Sequence, residues 1–211
     1  MCVCVCDRVN EALTAIKAMT KLRVERTRLQ ESIRGLVMHV CDKGQLDWLI
    51  SLPYTDPTVL DAVVMELETL AKHSDVQCTI SGKGTDYNDC LHAFLCGKHQ
   101  FQKAAARMFK LNQRLEGAEI PTIQSLDAQL RTLAKAISTL ELLPEVQRAF
   151  LASEVQTHQQ HTKRTLRDDS EAKVELTHDE PAEIITIEDL RNKFSKVVGL
   201  RNVLAVKDNA H

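Results

Sequence analysis

The chain has 211 residues, 44% of them hydrophobic and 27% charged but only 4% aromatic, with a formal net charge of −2. That length permits one large domain or a run of helical pairs with a real core, and an apolar set dominated by Leu and Ala with few Gly and Pro favours helices over sheets. Lys and Arg are interleaved with Asp and Glu, which excludes the long-range field that draws a protein to nucleic acid or an anionic membrane, so partners are expected through surface shape and apolar contact.

From about Asp7 to Val40, apolar residues recur at spacings of three and four (Val9, Leu13, Ile16, Met19, Leu22, Leu29, Ile33, Leu36, Val40), which predicts one long amphipathic helix. Gly44 is its expected stop, and a short helix follows from about Gln45 to Leu52, before Pro53. In TDPTVLDAVVMELETLAKH, Asp56 is placed to cap and Pro57 stands at the first helical position, where its missing N–H costs nothing. Leu60, Val63, Val64, Leu67, Leu70 and Ala71 then form one apolar face. SDVQCTISGKGTD is expected to be a loop.

Two short helices joined by GKHQ come next, one presenting Tyr87, Cys90, Leu91, Phe94 and Leu95, the other Phe101, Ala104, Ala105, Met108, Phe109 and Leu115. Together they predict an αα-hairpin in which Ala104, Ala105 and Ala106 allow close helix approach. Ala104→Trp should overfill that interface, whereas Lys98→Ala should change little. Ile123, Leu126, Leu130, Leu133, Ile137 and Leu140 carry a further helix, and LLPEVQRAFLA adds a Pro break and a short turn or helix. The apolar signal then collapses, which predicts a flexible polar linker over 153–182 between a helical solenoid segment (1–152) and a C-terminal helix (183–211). Thr186 can cap that last helix with Asp189 completing a capping box, Ile185 can staple against Leu190, and Leu190, Phe194, Val197, Val198 and Leu204 supply its docking stripe. The fold class is all-α, an irregular α-solenoid of antiparallel helix pairs.

Patterns that carry chemistry are weak throughout. In SGKGTD, Gln77 occupies the position of the first Gly of a phosphate loop and Gly84 that of its hydroxyl residue. Cys2, Cys4 and Cys6 alternate, but no second ligand cluster at C-x-x-C spacing accompanies them, and His158 and His161 lie in the polar linker. The odd count of seven cysteines and the lack of a signal-peptide pattern point to a reducing compartment. Nor is any apolar window long enough to cross a bilayer. The basic run Lys21, Arg23, Arg26 and Arg28 contains Glu25, precedes Glu31 and lacks interleaved aromatic residues, so a solvated helix face explains it better than RNA binding. With no nucleophile elbow or paired carboxylates, no catalytic residue, metal or cofactor is expected.

One ordered set of packing motifs is more informative. Leu52-Pro53-Tyr54 ends a short helix, Tyr87, Leu91, Ala93 and Phe94 form a Tyr-x-x-x-Leu-x-Ala-Phe helix, and Phe101, Lys103, Ala104, Met108 and Phe109 lead into Arg114-Leu115. With the late IITIEDLRNKF stretch, this series resembles the C-terminal helical region of the largest Y-complex nucleoporin family, the propeller-and-solenoid scaffold proteins of the nuclear pore outer ring. The resemblance runs from about Val37 to Ala205 and implies a non-catalytic scaffold at the nuclear envelope that docks onto other Y-complex nucleoporins and supports nucleocytoplasmic transport and mRNA export. It implies no small-molecule substrate and no direct nucleic-acid contact. The β-propeller of such proteins has no counterpart in this sequence, so a segment of a scaffold or a short homologue is expected. A vesicle-coat or tetratricopeptide-like adaptor is the alternative from the same architecture.

Overall fold

A computed structural model describes residues 14, 26–52, 57–117, 121–151 and 183–208. The expected Asp56 cap, the N-terminal cysteines, His158, His161 and the whole 153–182 linker lie outside the described residues, as does most of the first helix before Arg26. The chain forms two compact units, residues 1–99 and 100–211.

The first unit contains α1 (Arg26–Asp42), α2 (Leu46–Ser51), α3 (Pro57–His73), α4 (Val76–Ser81) and α5 (Tyr87–Gly97). Ile33, Leu36, Val37 and Val40 bury one face of α1, at the three-and-four spacing that the sequence displays. Gly44 ends the helix with φ +65°, the left-handed conformation that a Cβ disfavours, while the N–H groups of Gly44 and Gln45 return to the carbonyls of Cys41 and Val40. The buried face of α3 is Val59, Val63, Glu66, Leu67, Leu70 and Ala71, with Leu60 and Val64 only partly covered. It is therefore rotated by a fraction of a turn from the expected stripe and includes a carboxylate. α3 is the centre of the unit, packed on both α1 and α5, while α2 packs on α5.

One expectation in this unit needs correction. Residues 76–81 are a helix and not a loop, because the Asp75 carboxylate accepts the N–H of Gln77 at 2.9 Å and supplies the start that the segment needs. The helix stops where the Gly82 N–H returns to the Cys78 carbonyl.

The second unit contains α6 (Phe101–Gly117), α7 (Ile123–Glu141), a 3₁₀ turn (Glu145–Gln147), strands β1 (Ala149–Leu151) and β2 (Ile184–Thr186), and α8 (Ile187–Asp208). α6 and α7 pack along their lengths across a short connection, as an antiparallel pair must, and α8 packs on α7. Within this unit α6 takes α7 as its main partner, and within the first unit α5 packs on α3 and α2. α7 opens with a reciprocal capping box, Thr122 Oγ1 accepting the Ser125 N–H at 3.1 Å and Ser125 Oγ accepting the Thr122 N–H at 2.9 Å.

LLPEVQRAFLA yields a short turn after the Pro break, in 3₁₀ form, and then a strand that the sequence did not announce. Phe150 pairs with Ile185 in a short antiparallel ladder (Ala149 with Thr186, Leu151 with Ile184), and both central side chains are buried. The β-branched pair Ile184-Ile185 favours extended backbone just before the helix begins. The rest of the fold is all-α, as the helical periodicity implies.

Candidate protein-docking site

In the first unit the motif residues Leu91 and Phe94 lie in the core, 2% and 0% exposed, while Leu52 and Tyr87 are partly covered. Pro53 and Tyr54 lie outside the described residues. The junction that follows α2 is held by a residue that the hydrophobic pattern does not flag. Lys98 Nζ donates to the carbonyl oxygens of Ile50 at 2.6 Å and Leu52 at 3.3 Å, capping carbonyls at the end of α2, and stands 5.8 Å from the centre of the Phe94 ring. Burial lowers the Lys98 pKa, since the ammonium gives up water for carbonyl partners. Beside it, Gly97 leaves no room for a Cβ, which would run into the side chain of Ile50. The expectation that Lys98→Ala changes little is therefore corrected.

Asp42, at the end of α1, accepts hydrogen bonds from Tyr87 Oη at 2.9 Å and Thr85 Oγ1 at 2.8 Å. Burial first, and then the hydrogen bond to this carboxylate, raise the Tyr87 phenol to about 12. Glu66 is 2% exposed and accepts from Gln30 Nε2 at 2.9 Å, so a polar pair is set into the α1–α3 contact.

In the second unit Ala104, Ala105, Met108 and Leu115 are buried, and Phe101 and Phe109 partly so. Asn112 is wholly buried, with Nδ2 donating to the Gln129 carbonyl at 3.3 Å and Thr132 Oγ1 at 3.4 Å. Phe109 meets Phe150 edge-on at 5.9 Å, and Lys193 sits 4.8 Å from the Phe109 ring while pairing with Glu116 at 2.9 Å. The Thr186–Asp189 capping box forms as the sequence implies, with the Thr186 N–H donated to Asp189 at 2.8 Å, and Ile185 and Leu190 are both buried. Arg191 pairs with Glu141 and Glu188, and Arg201 with Asp127, so α8 is tied along α7 by charges as well as by Leu190 and Val197.

An open groove of about 680 Å³ lies among α6, α7 and α8, floored by Leu115, Leu126 and Val197 and rimmed by Glu116, Lys193 and Lys196. Its floor continues onto an exposed stripe of α8, where Leu200, Val203 and Val206 are 56%, 57% and 70% exposed. Nothing in the helical period marks these three as uncovered, because the C-terminal half of α8 is apolar on several sides. The arrangement offers apolar contact with a charged rim. Among the described residues no group of three or more His, Cys, Asp or Glu side chains is placed to hold a metal ion, and no helix is long and apolar enough to cross a membrane.

The sequence model of the NUP160/120 middle TPR family matches residues 6–142, which takes in every helix from α1 to α7. The chain belongs to this family. Curated relatives include the nuclear pore complex protein Nup160 of Mus musculus, 30% identical over 129 residues, and that of Homo sapiens, 29% identical over 129 residues. Each alignment covers 61% of this chain and 8% of the relative, so the chain spans a small part of the length of the proteins it matches. β1, β2 and α8 fall beyond the matched residues.

Proposed function

We propose that the chain is a non-catalytic scaffold segment of the nuclear pore complex, part of the outer ring or Y-complex at the nuclear envelope, where its helical faces hold other scaffold nucleoporins. Nucleocytoplasmic transport and mRNA export then depend on it through the integrity of the ring. The observation that carries this reading is the family match through α1–α7, from a family whose full-length relatives bear the name of nuclear pore complex proteins.

The chemistry of the molecule agrees. Two of its buried polar groups, Glu66 and Asn112, make helix–helix contacts, one in each unit, and its exposed apolar stripe on α8 suits a protein surface better than a small molecule. Lys196 and Lys207 flank that stripe, which fits a partner with an apolar ridge and acidic edges. Expressed with a fluorescent tag, the chain should concentrate at the nuclear rim, and Leu200→Glu with Val203→Glu should reduce that signal without unfolding the protein. A wild-type chain spread evenly through the cytoplasm, or gathered on vesicles as a coat adaptor would be, contradicts the proposal.

A further inference from the structure

The cysteines at 41, 78, 90 and 96 are free thiols. Two of them, distant in sequence, meet in the first unit: Cys41 in the last turn of α1 and Cys90 in the first turn of α5, with their side chains in hydrogen-bond contact. A second set of contacts holds the same two helix ends together. Asp42, next to Cys41, accepts from Tyr87, one turn before Cys90, at 2.9 Å, and from Thr85 at 2.8 Å. The thiols are unequal in access, Cys41 being 5% exposed and Cys90 partly open.

We propose that Cys41 and Cys90 form a reversible dithiol–disulfide site that takes hydroperoxide-class oxidants, with Cys90 as the attacking sulfur and Cys41 as the resolving one. Their unequal access assigns these roles, since an oxidant reaches the partly open Cys90 before Cys41, which is 5% exposed. The side-chain contact with Cys90, and then burial, pushes the ionisation of Cys41 up, while the contact with Cys41 holds Cys90 below the ordinary thiol range against burial and the nearby Asp86, Asp89 and Asp42. The Cys90 thiolate attacks one oxygen of the hydroperoxide; the O–O bond breaks, and the leaving oxygen departs as water or an alcohol after taking a proton. Cys90 is now a sulfenic acid. The Cys41 sulfur, giving up its proton, then displaces the hydroxyl from Cys90, forming the S–S bond and releasing water. Two thiols and one hydrogen peroxide thus become one disulfide and two waters, and an external dithiol reverses the change by exchange. The bond would join α1 directly to α5, two helices that otherwise share α3 as their common neighbour.

The test treats the folded 211-residue chain with hydrogen peroxide, alkylates the remaining thiols, and maps the peptides by mass spectrometry without reduction. The expected product is a linked pair of peptides containing Cys41 and Cys90, two hydrogens lighter than their sum and separated by dithiothreitol. In Cys41→Ser the same treatment should leave Cys90 as a sulfenic acid that dimedone captures. Recovery of Cys41 and Cys90 both alkylated, of Cys90 over-oxidised beside an alkylated Cys41, or of Cys41 linked to a different cysteine, overturns the assignment.

Discussion

Lys98 and Tyr87 each act on the end of another element through a single polar atom. Removing the Lys98 ammonium leaves the carbonyls of Ile50 and Leu52 without that donor, so Lys98→Ala should destabilise the protein by about 1 kcal/mol, a figure kept low because the site is partly open to water. Lys98→Met, which keeps the aliphatic stem, should recover only the packing share of that loss in urea unfolding. Tyr87 gives a pH signature. Its phenol titrates near 12 in the folded chain against about 10 when unfolded, so its contribution is complete below pH 10 and is lost as the pH rises from 10 towards 12. Measured by denaturant midpoint, wild type should fall more steeply than Tyr87→Phe across that window, and the two curves should run parallel below it. Tyr87 stood out as a motif residue, but neither polar contact was legible in advance, because a hydrophobic pattern records which side chains avoid water and not which distant carbonyl or carboxylate a polar tip will reach. Glu66 and Asn112 are hidden for the same reason: nothing local separates a buried, paired carboxylate or amide from a solvated one.

Whole helices were far more visible than single contacts. The stripes of α1, α3, α6 and α7 follow from three-and-four spacing, and the start of α8 from Thr186 and Asp189, since these signals lie within one or two turns of chain. What failed was short or relational. α4 is six residues long with no buried side chain, so it has no stripe to read, and β1 and β2 are three residues each and depend on one another. The choice of partner for α6 depends on matching long apolar faces, which chain order does not reveal. The consequence is testable within the second unit. Ala104 is wholly buried, so Ala104→Trp should lower stability by about 1–3 kcal/mol, while Ala134→Trp, on the exposed side of α7, should stay within about 0.5 kcal/mol of wild type in the same chemical denaturation. Equal losses would mean that the two helix faces are assigned wrongly.

For the molecule as a whole, the ordered packing motifs carried more than any one of them, and the family match over residues 6–142 rests on the same stretch of helices. The motif side chains themselves are mostly interior: Leu91, Phe94, Ala104, Ala105, Met108 and Leu115 build the two cores and are not available to grip a partner. Under the scaffold proposal, docking falls to what the cores leave outside, above all Leu200, Val203 and Val206 on α8, which belong to the part of the chain beyond the family match. The sequence marked the stripe by which α8 docks but not the one it leaves open, because a helix apolar on several sides does not state which side a neighbour will cover.

The scaffold proposal is tested most directly by affinity capture of the tagged chain from nuclear extract, with Leu200→Glu/Val203→Glu captured in parallel and the bound proteins identified by mass spectrometry. Outer-ring scaffold nucleoporins should co-purify with wild type and be depleted at least several-fold with the variant. Vesicle-coat proteins on the wild-type chain, with no pore scaffold protein among them, would contradict the proposal.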